Sequence, residues 1–91
     1  MFNIKEIAKL IDGEIFGDDS LEIVKLSPFF QSKKQDLTFA SDEKMLKKIN
    51  EIQAGVVIVP EGQELLEDRT YIVVKQNPRN LMPILLNYFK P

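Results

Sequence analysis

The sequence predicts an α/β domain: a small mixed sheet of about four to five short strands flanked by helices. Three observations predict it. Apolar residues recur at helical spacing at Ile4, Ile7, Ala8 and Ile11, again at Met45, Leu46, Ile49 and Ile52, and again at Leu81, Ile84, Leu85 and Tyr88. Between them lie short runs rich in β-branched residues, of which Val56-Val57-Ile58-Val59 and Tyr71-Ile72-Val73-Val74 carry no charge. Gly, Asn, Asp and Pro mark the changes from one period to the other.

The first helix is expected to start at Asn3, a good cap, with Glu6 reaching back to it as in a capping box and Phe2 and Ile7 in the positions of a hydrophobic staple. Gly13 is expected to end it. Glu14-Ile15-Phe16 and Leu21 to Leu26 then read as two short strands around a Gly17-Asp18-Asp19 turn, the second stopped by Ser27-Pro28. Phe29 to Gln35 reads as a loop or a single helical turn, and Asp36-Leu37-Thr38-Phe39 as another strand.

Ser41 is the expected cap of the second helix, with Asp42 and Glu43 favoured in its first turn by the helix dipole, and Ala54-Gly55 breaks it. Val56 to Val59 reads as a strand buried on both faces, as in a parallel sheet, closed by Pro60. After the strand at Tyr71 to Val74, Asn77-Pro78 pairs a cap with the residue favoured at the first helical position. Pro83 then favours a helix beginning at Asn80, which keeps that proline in the first turn.

At 91 residues the chain is expected to form one domain, 1–91. A chain of this size buries somewhat over ~60% of the surface its unfolded form exposes, enough for a core without staples. With 44% hydrophobic and 29% charged residues it is unlike a disordered chain. A net charge of -2 gives no global attraction to nucleic acid or anionic lipid. The local cluster of Lys33, Lys34, Lys44, Lys47 and Lys48 is interleaved with Asp36, Asp42 and Glu43 and reads as a solvated face. The N-terminal segment carries Glu6 and Asp12 and is not expected to be a signal peptide, and the apolar runs are too short to span a bilayer. A cytoplasmic location without membrane insertion is the expectation.

The sequence holds no Cys and no His, which removes thiolate chemistry, the usual zinc ligands and the commonest general base near neutral pH. Its glycines form neither GxxxxGK nor GxGxxG, and the acidic pairs Asp18-Asp19, Asp42-Glu43 and Glu67-Asp68 read as turn, helix-start and loop residues. No cofactor is implied. The residues point to binding rather than to catalysis.

Asp12-Gly13-Glu14-Ile15-Phe16-Gly17-Asp18, Leu21-Glu22-Ile23, Asp36-Leu37-Thr38-Phe39, Ala54-Gly55-Val56-Val57-Ile58-Val59 and Val73-Val74 through Asn77-Pro78 occur in this order and spacing. Together they resemble, across nearly the whole chain, the N-terminal domain of the UDP-3-O-(3-hydroxyacyl)glucosamine N-acyltransferases of lipid A synthesis. That family moves a 3-hydroxyacyl chain from acyl carrier protein to the 2-amino group of a UDP-acylglucosamine. The resemblance implies that the catalytic His lies in a C-terminal left-handed β-helix, which also makes the family's trimer. The piece spanning 1–91 is then expected to be monomeric and inactive alone. A Tyr88-Phe89-Lys90-Pro91 ending fits a domain of a longer chain.

In that family the uracil is stacked between a Phe and a Tyr of a motif close to DLTFxxNPKY. The resemblance makes Phe39 the first stacking face, places Asp42 at the motif's Asn and Glu43 at its Pro, matches Lys44 to its Lys, and puts Met45 at the second aromatic. Phe39, Asp42, Lys44 and Met45 are thus the implied uridine contacts, with a weaker grip than usual. A thioether against a ring keeps about 0.3–1.5 kcal/mol, against about 1–3 for an aromatic stack on a base. Without the family, Phe39 and Met45 read as core and Asp42 as a helix-start residue. A second similarity is to the UDP-sugar-binding N-terminal domain of Mur ligases, whose strand–helix–strand plan is alike but whose Ser-Arg pair is replaced by Ser32-Lys33-Lys34. A third reading is an interaction module that keeps the fold and has lost the nucleotide, which an exposed apolar patch around Phe29, Phe30 and Phe89, with no pocket near Phe39, would favour.

Overall fold

The computed structural model describes all 91 residues, Met1–Pro91. In chain order the elements are β1 (Phe2–Asn3), α1 (Ile4–Leu10), β2 (Glu14–Phe16), β3 (Glu22–Ile23), β4 (Lys25–Leu26), β5 (Asp36–Phe39), α2 (Glu43–Lys47), β6 (Val56–Pro60), β7 (Thr70–Val74) and α3 (Met82–Tyr88). Turns of 3-10 helix stand at Phe29–Gln31, Ile49–Glu51 and Pro78–Leu81. The main sheet is five-stranded in the order β2-β7-β6-β5-β4, and β1 and β3 form a separate antiparallel pair. Strands β4 to β7 run parallel to their neighbours, while β2 joins β7 antiparallel. This is the predicted mixed α/β sheet flanked by helices.

Strand β6 explains the layering. Val56, Val57, Ile58 and Val59 are all fully buried, and both neighbours of the strand are parallel. Alternation sends Val56 and Ile58 to a cluster shared with Ile4, Ile7, Leu81 and Leu85, and Val57 and Val59 to a cluster shared with Phe29, Ile49, Ile52 and Tyr71. Helices α1 and α3 therefore cover one face, and the segment from α2 to Ile52 covers the other. Pro60 remains paired with Val74 as the last residue of β6 instead of lying just beyond it.

The predicted strand over Leu21 to Leu26 is divided between the two sheets. Glu22 and Ile23 pair with Asn3 and Phe2, whereas Lys25 and Leu26 pair with Asp36 and Leu37. The chain crosses at Val24, whose N–H donates to Gln35 O at 2.8 Å. Periodicity marks extended backbone but does not say which neighbour takes its hydrogen bonds.

Helix α1 is capped as expected by Asn3, whose Oδ1 accepts from Lys5 N–H at 2.8 Å. The reciprocal Glu6 contact is not made. Asn3 is already paired with Glu22, and the Glu6 carboxylate accepts from the Tyr88 hydroxyl at 3.1 Å. Phe2 packs against the cluster that holds Ile7, and its ring meets those of Tyr88 and Phe89 at centroid distances of 5.5 and 4.6 Å. The two C-terminal aromatics thus bury apolar surface within the domain.

The helix ends in a Schellman arrangement in which Gly13 N–H donates to Ala8 O and Asp12 N–H to Lys9 O. Asp12, with φ 53°, takes the left-handed position that Gly13 was expected to fill. Gly13 serves close packing instead: a Cβ there would stand 2.5 Å from Ile72 Cγ2. At the other end of the chain, Asn77 caps and Pro78 opens a 3-10 turn, and α3 begins at Met82, later than the expected Asn80. Pro83 has no N–H to donate to Arg79 O, so Met82 N–H takes that acceptor and the turn stays 3-10. Pro83 sits in the first turn, as predicted.

The loop between β4 and β5 is stitched by one buried carboxylate. Asp36 Oδ2 accepts from Ser27 Oγ at 2.8 Å and from Lys33 N–H at 2.9 Å, and Thr38 Oγ1 donates to Ser27 O at 2.8 Å. Replacing Asp36 with Ala strands two donors, and is expected to lower stability by about 1–3 kcal/mol. Urea unfolding measures it: an unchanged midpoint would show that the stitch does not hold the loop.

Candidate functional site

Three adjacent parallel strands end on the same side of the sheet, β5 at Phe39, β6 at Pro60 and β7 at Val74. Ligands of open α/β sheets gather beyond such carboxyl ends. Here α2 leaves the end of β5 and the Pro78–Leu81 turn follows the end of β7, so residues from both meet across β6.

Phe39, the last residue of β5, is half-buried and packs against the cluster under α1 and α3. Asp42, not Ser41, is the cap of α2: its Oδ1 accepts from Met45 N–H at 2.8 Å. The Ser41 hydroxyl is turned to the Met45 sulfur at 3.6 Å, which leaves the cap to the charged and stronger acceptor next to it. The helix-start role of Asp42 is therefore real. Met45 is half-buried and packs against the other cluster, with Ile49 and Tyr71. Lys44 is exposed, while its neighbour Lys47 pairs with Glu43 at 3.1 Å.

The structure brings Asp42 and Met45 together through the cap, and keeps Phe39 and Met45 on opposite core clusters. It also adds a residue that sequence reasoning missed. Arg79 Nη2 stands 4.0 Å from Asp42 Oδ2, and both side chains are more than half exposed, at 69% and 52%. The signal that could have found it is local: Asn77-Pro78 places Arg79 in the first turn after a buried strand, where a side chain looks over the sheet's end.

Lys48 Nζ lies 5.7 Å from the centre of the exposed Phe30 ring, whereas Lys33 and Lys34 border a shallow surface with Val24 and Gln35. Phe29 is buried and Phe89 packs on Phe2, so the three phenylalanines share no apolar patch. A cleft of about 240 Å³ lies between α2 and residues 63–66, lined by Leu46, Ile49, Leu65 and Tyr71 among others, and includes none of the four motif residues. Burial pushes the Tyr71 phenol above its ordinary pKa, and the Asp68 carboxylate, which accepts from it at 3.2 Å, adds to the shift. No group of three or more His, Cys, Asp or Glu is gathered to hold a metal, and no helix is long and apolar enough to cross a membrane.

Comparison with known proteins bears on the whole chain. The family described as LpxD, UDP-3-O-(3-hydroxymyristoyl) glucosamine N-acyltransferase, matches residues 20–88. A UDP-3-O-acylglucosamine N-acyltransferase of Fusobacterium nucleatum is 44% identical over 89 residues, covering 97% of this chain and 27% of the relative. A protein of the same name from Francisella tularensis is 32% identical over 90 residues, 98% of this chain and 26% of the relative. One from Sulfurimonas denitrificans is 31% identical over 90 residues, 98% and 28%. The chain thus spans about a quarter of the length of these relatives, 26% to 28%.

The capping geometry is directly testable. Asp42→Ala removes the acceptor of Met45 N–H and is expected to lower stability by about 1 kcal/mol, while Asp42→Asn, an equally good cap, stays close to the parent. Thermal unfolding of the two variants checks it, and equal melting temperatures would contradict the assignment of the cap.

Proposed function

The chain belongs to the UDP-3-O-(3-hydroxymyristoyl) glucosamine N-acyltransferase family, and from that premise we propose that it is the domain that recognises the uridine of UDP-acylglucosamine. The acyl transfer, from acyl carrier protein to the sugar's 2-amino group in lipid A synthesis, is assigned to other parts of the family's longer proteins, as are the trimer contacts. In this reading the reaction and the domain are cytoplasmic. The absence of any His among these residues accords with a binding role.

The observation that carries this reading is the placement of the motif. Phe39 ends a parallel strand, and Asp42 and Lys44 follow it with exposed polar groups at the sheet's carboxyl edge. In this reading Phe39 offers a ring to the uracil, Asp42 accepts from the base or the ribose, Lys44 lies within reach of the phosphates, and Met45 supplies the second, softer face. With one aromatic stack in place of two, the grip is weak. Each base–aromatic stack contributes about 1–3 kcal/mol.

One observation favours the reading in which the fold is kept for interaction without nucleotide. Phe39 and Met45 pack against opposite clusters, so a two-sided slot requires one of them to turn outward. Amide NMR of the labelled domain separates the readings. Titration with UMP and with UDP-N-acetylglucosamine is expected to move the amides from Phe39 to Met45, with CMP weaker, and Phe39→Ala is expected to weaken UMP about tenfold. Equal binding by the parent and the Phe39→Ala domain refutes the uridine site. Flat titrations with every nucleotide favour the interaction module.

A further inference from the structure

Asp42 and Arg79 approach each other across the carboxyl end of β6 as a long, exposed ion pair. At 4.0 Å, Arg79 Nη2 and Asp42 Oδ2 are close enough to hold each other by charge but beyond hydrogen-bond reach, about 2.7–3.2 Å. The second oxygen of Asp42 is the one that caps α2, so Oδ2 keeps its lone pairs free. The Arg79 guanidinium makes no hydrogen bond within the protein and no second ion pair, and its fork carries several N–H donors. Both backbones are held: Asp42 by its carbonyl, which accepts from Leu46 N–H at 3.0 Å, and Arg79 by its N–H to Asn77 Oδ1 at 2.9 Å and its carbonyl to Met82 N–H. A carboxylate oxygen outside the helix cap and a guanidinium free of hydrogen bonds within the protein thus stand side by side at the sheet's carboxyl edge, both exposed to solvent.

We propose that Arg79 is a specificity-determining residue of the uridine site, and that it reads the base edge together with Asp42. The Asp42 carboxylate accepts from the pyrimidine N3–H, and the Arg79 guanidinium donates to the adjoining carbonyl oxygen. This rests on the uridine reading and deepens it. A carboxylate alone is poorly suited to the edge of uracil, because it meets carbonyl lone pairs on either side of the single N–H and stands near an anionic diphosphate. Arg79 supplies the missing donor and cancels the charge. The pair thus does with two side chains what one neutral amide does with its own donor and acceptor. Lys44 and Lys48 do not replace it, since an ammonium on a flexible stem lacks the planar fork.

The test is a double-mutant cycle read by NMR titration of the 91-residue chain. The probes are uridine and 3-methyluridine, which differ at N3–H and carry no phosphate. Uridine is expected to bind and 3-methyluridine to bind much less. Arg79→Gln is expected to weaken uridine about three- to tenfold, the range for a partly exposed charge-assisted bond. Arg79→Lys is expected to fall between the parent and Arg79→Gln. In an Asp42→Asn background, where the amide carries both functions and still caps α2, Arg79→Gln is expected to change uridine affinity by less than about twofold. Arg79 is exposed at the surface, so its variants should unfold at the parent's midpoint, and a shared midpoint keeps the comparison clean. The inference is overturned if Arg79→Gln binds uridine like the parent, if it causes the same loss in both backgrounds, or if Asp42→Asn alone abolishes binding. Absence of uridine binding in every protein overturns the uridine reading itself, and this inference with it. That outcome is distinct from uridine binding that ignores Arg79.

Discussion

Strand β6 is hydrogen-bonded on both edges to parallel strands, and most of the architecture follows from that constraint. Parallel neighbours cannot be reached by hairpins, so each crossover must leave the sheet and return along one of its faces. Both faces of β6 are apolar and completely buried, which requires cover on each side. Helices α1 and α3 provide it on one side, and α2 with the Ile49–Glu51 turn on the other. The same constraint aligns the carboxyl ends of β5, β6 and β7. Asp42 and Arg79 are neighbours for that reason, although the chain between them passes through two strands.

Two aspartates of the same motif show how position decides chemistry. Asp36 starts β5 and is buried, with its carboxylate committed to Ser27 and Lys33 inside the loop it closes. Asp42 follows the strand's other end and is exposed, with one oxygen used by the helix cap and the other only loosely paired. One holds the scaffold in shape. The other keeps one oxygen outside the cap, exposed at the sheet's carboxyl edge.

The ends of the chain are joined by packing that lies away from this edge. Phe2 meets Tyr88 and Phe89 ring to ring, and the Tyr88 hydroxyl donates to Glu6. The phenol of Tyr88 is shifted upward, mainly by desolvation and further by its bond to that carboxylate. These contacts tie α3 to the start of α1, so the first residues and the last belong to one layer. The cleft beside Tyr71 is on the opposite face, and none of the motif residues lines it.

The sequence by itself determined the fold class, because binary pattern and turn residues are local signals. The helix cap at Asn3, the Asn77 cap followed by Pro78, the buried run at Val56 to Val59 and the strand at Asp36 to Phe39 were all legible in it, whereas α3 starts at Met82, beyond the expected Asn80. The candidate site was legible only as a linear motif, Phe39 to Met45, matched to a family. What the tertiary structure decided was every pairing between distant segments. It divided Leu21 to Leu26 between two sheets, gave Glu6 to Tyr88 instead of to Asn3, moved the cap of α2 to Asp42, and set Arg79 beside Asp42. Periodicity records how a segment lies against its own surroundings. Which donor meets which acceptor across a sheet depends on strand order, and strand order is a property of the whole chain.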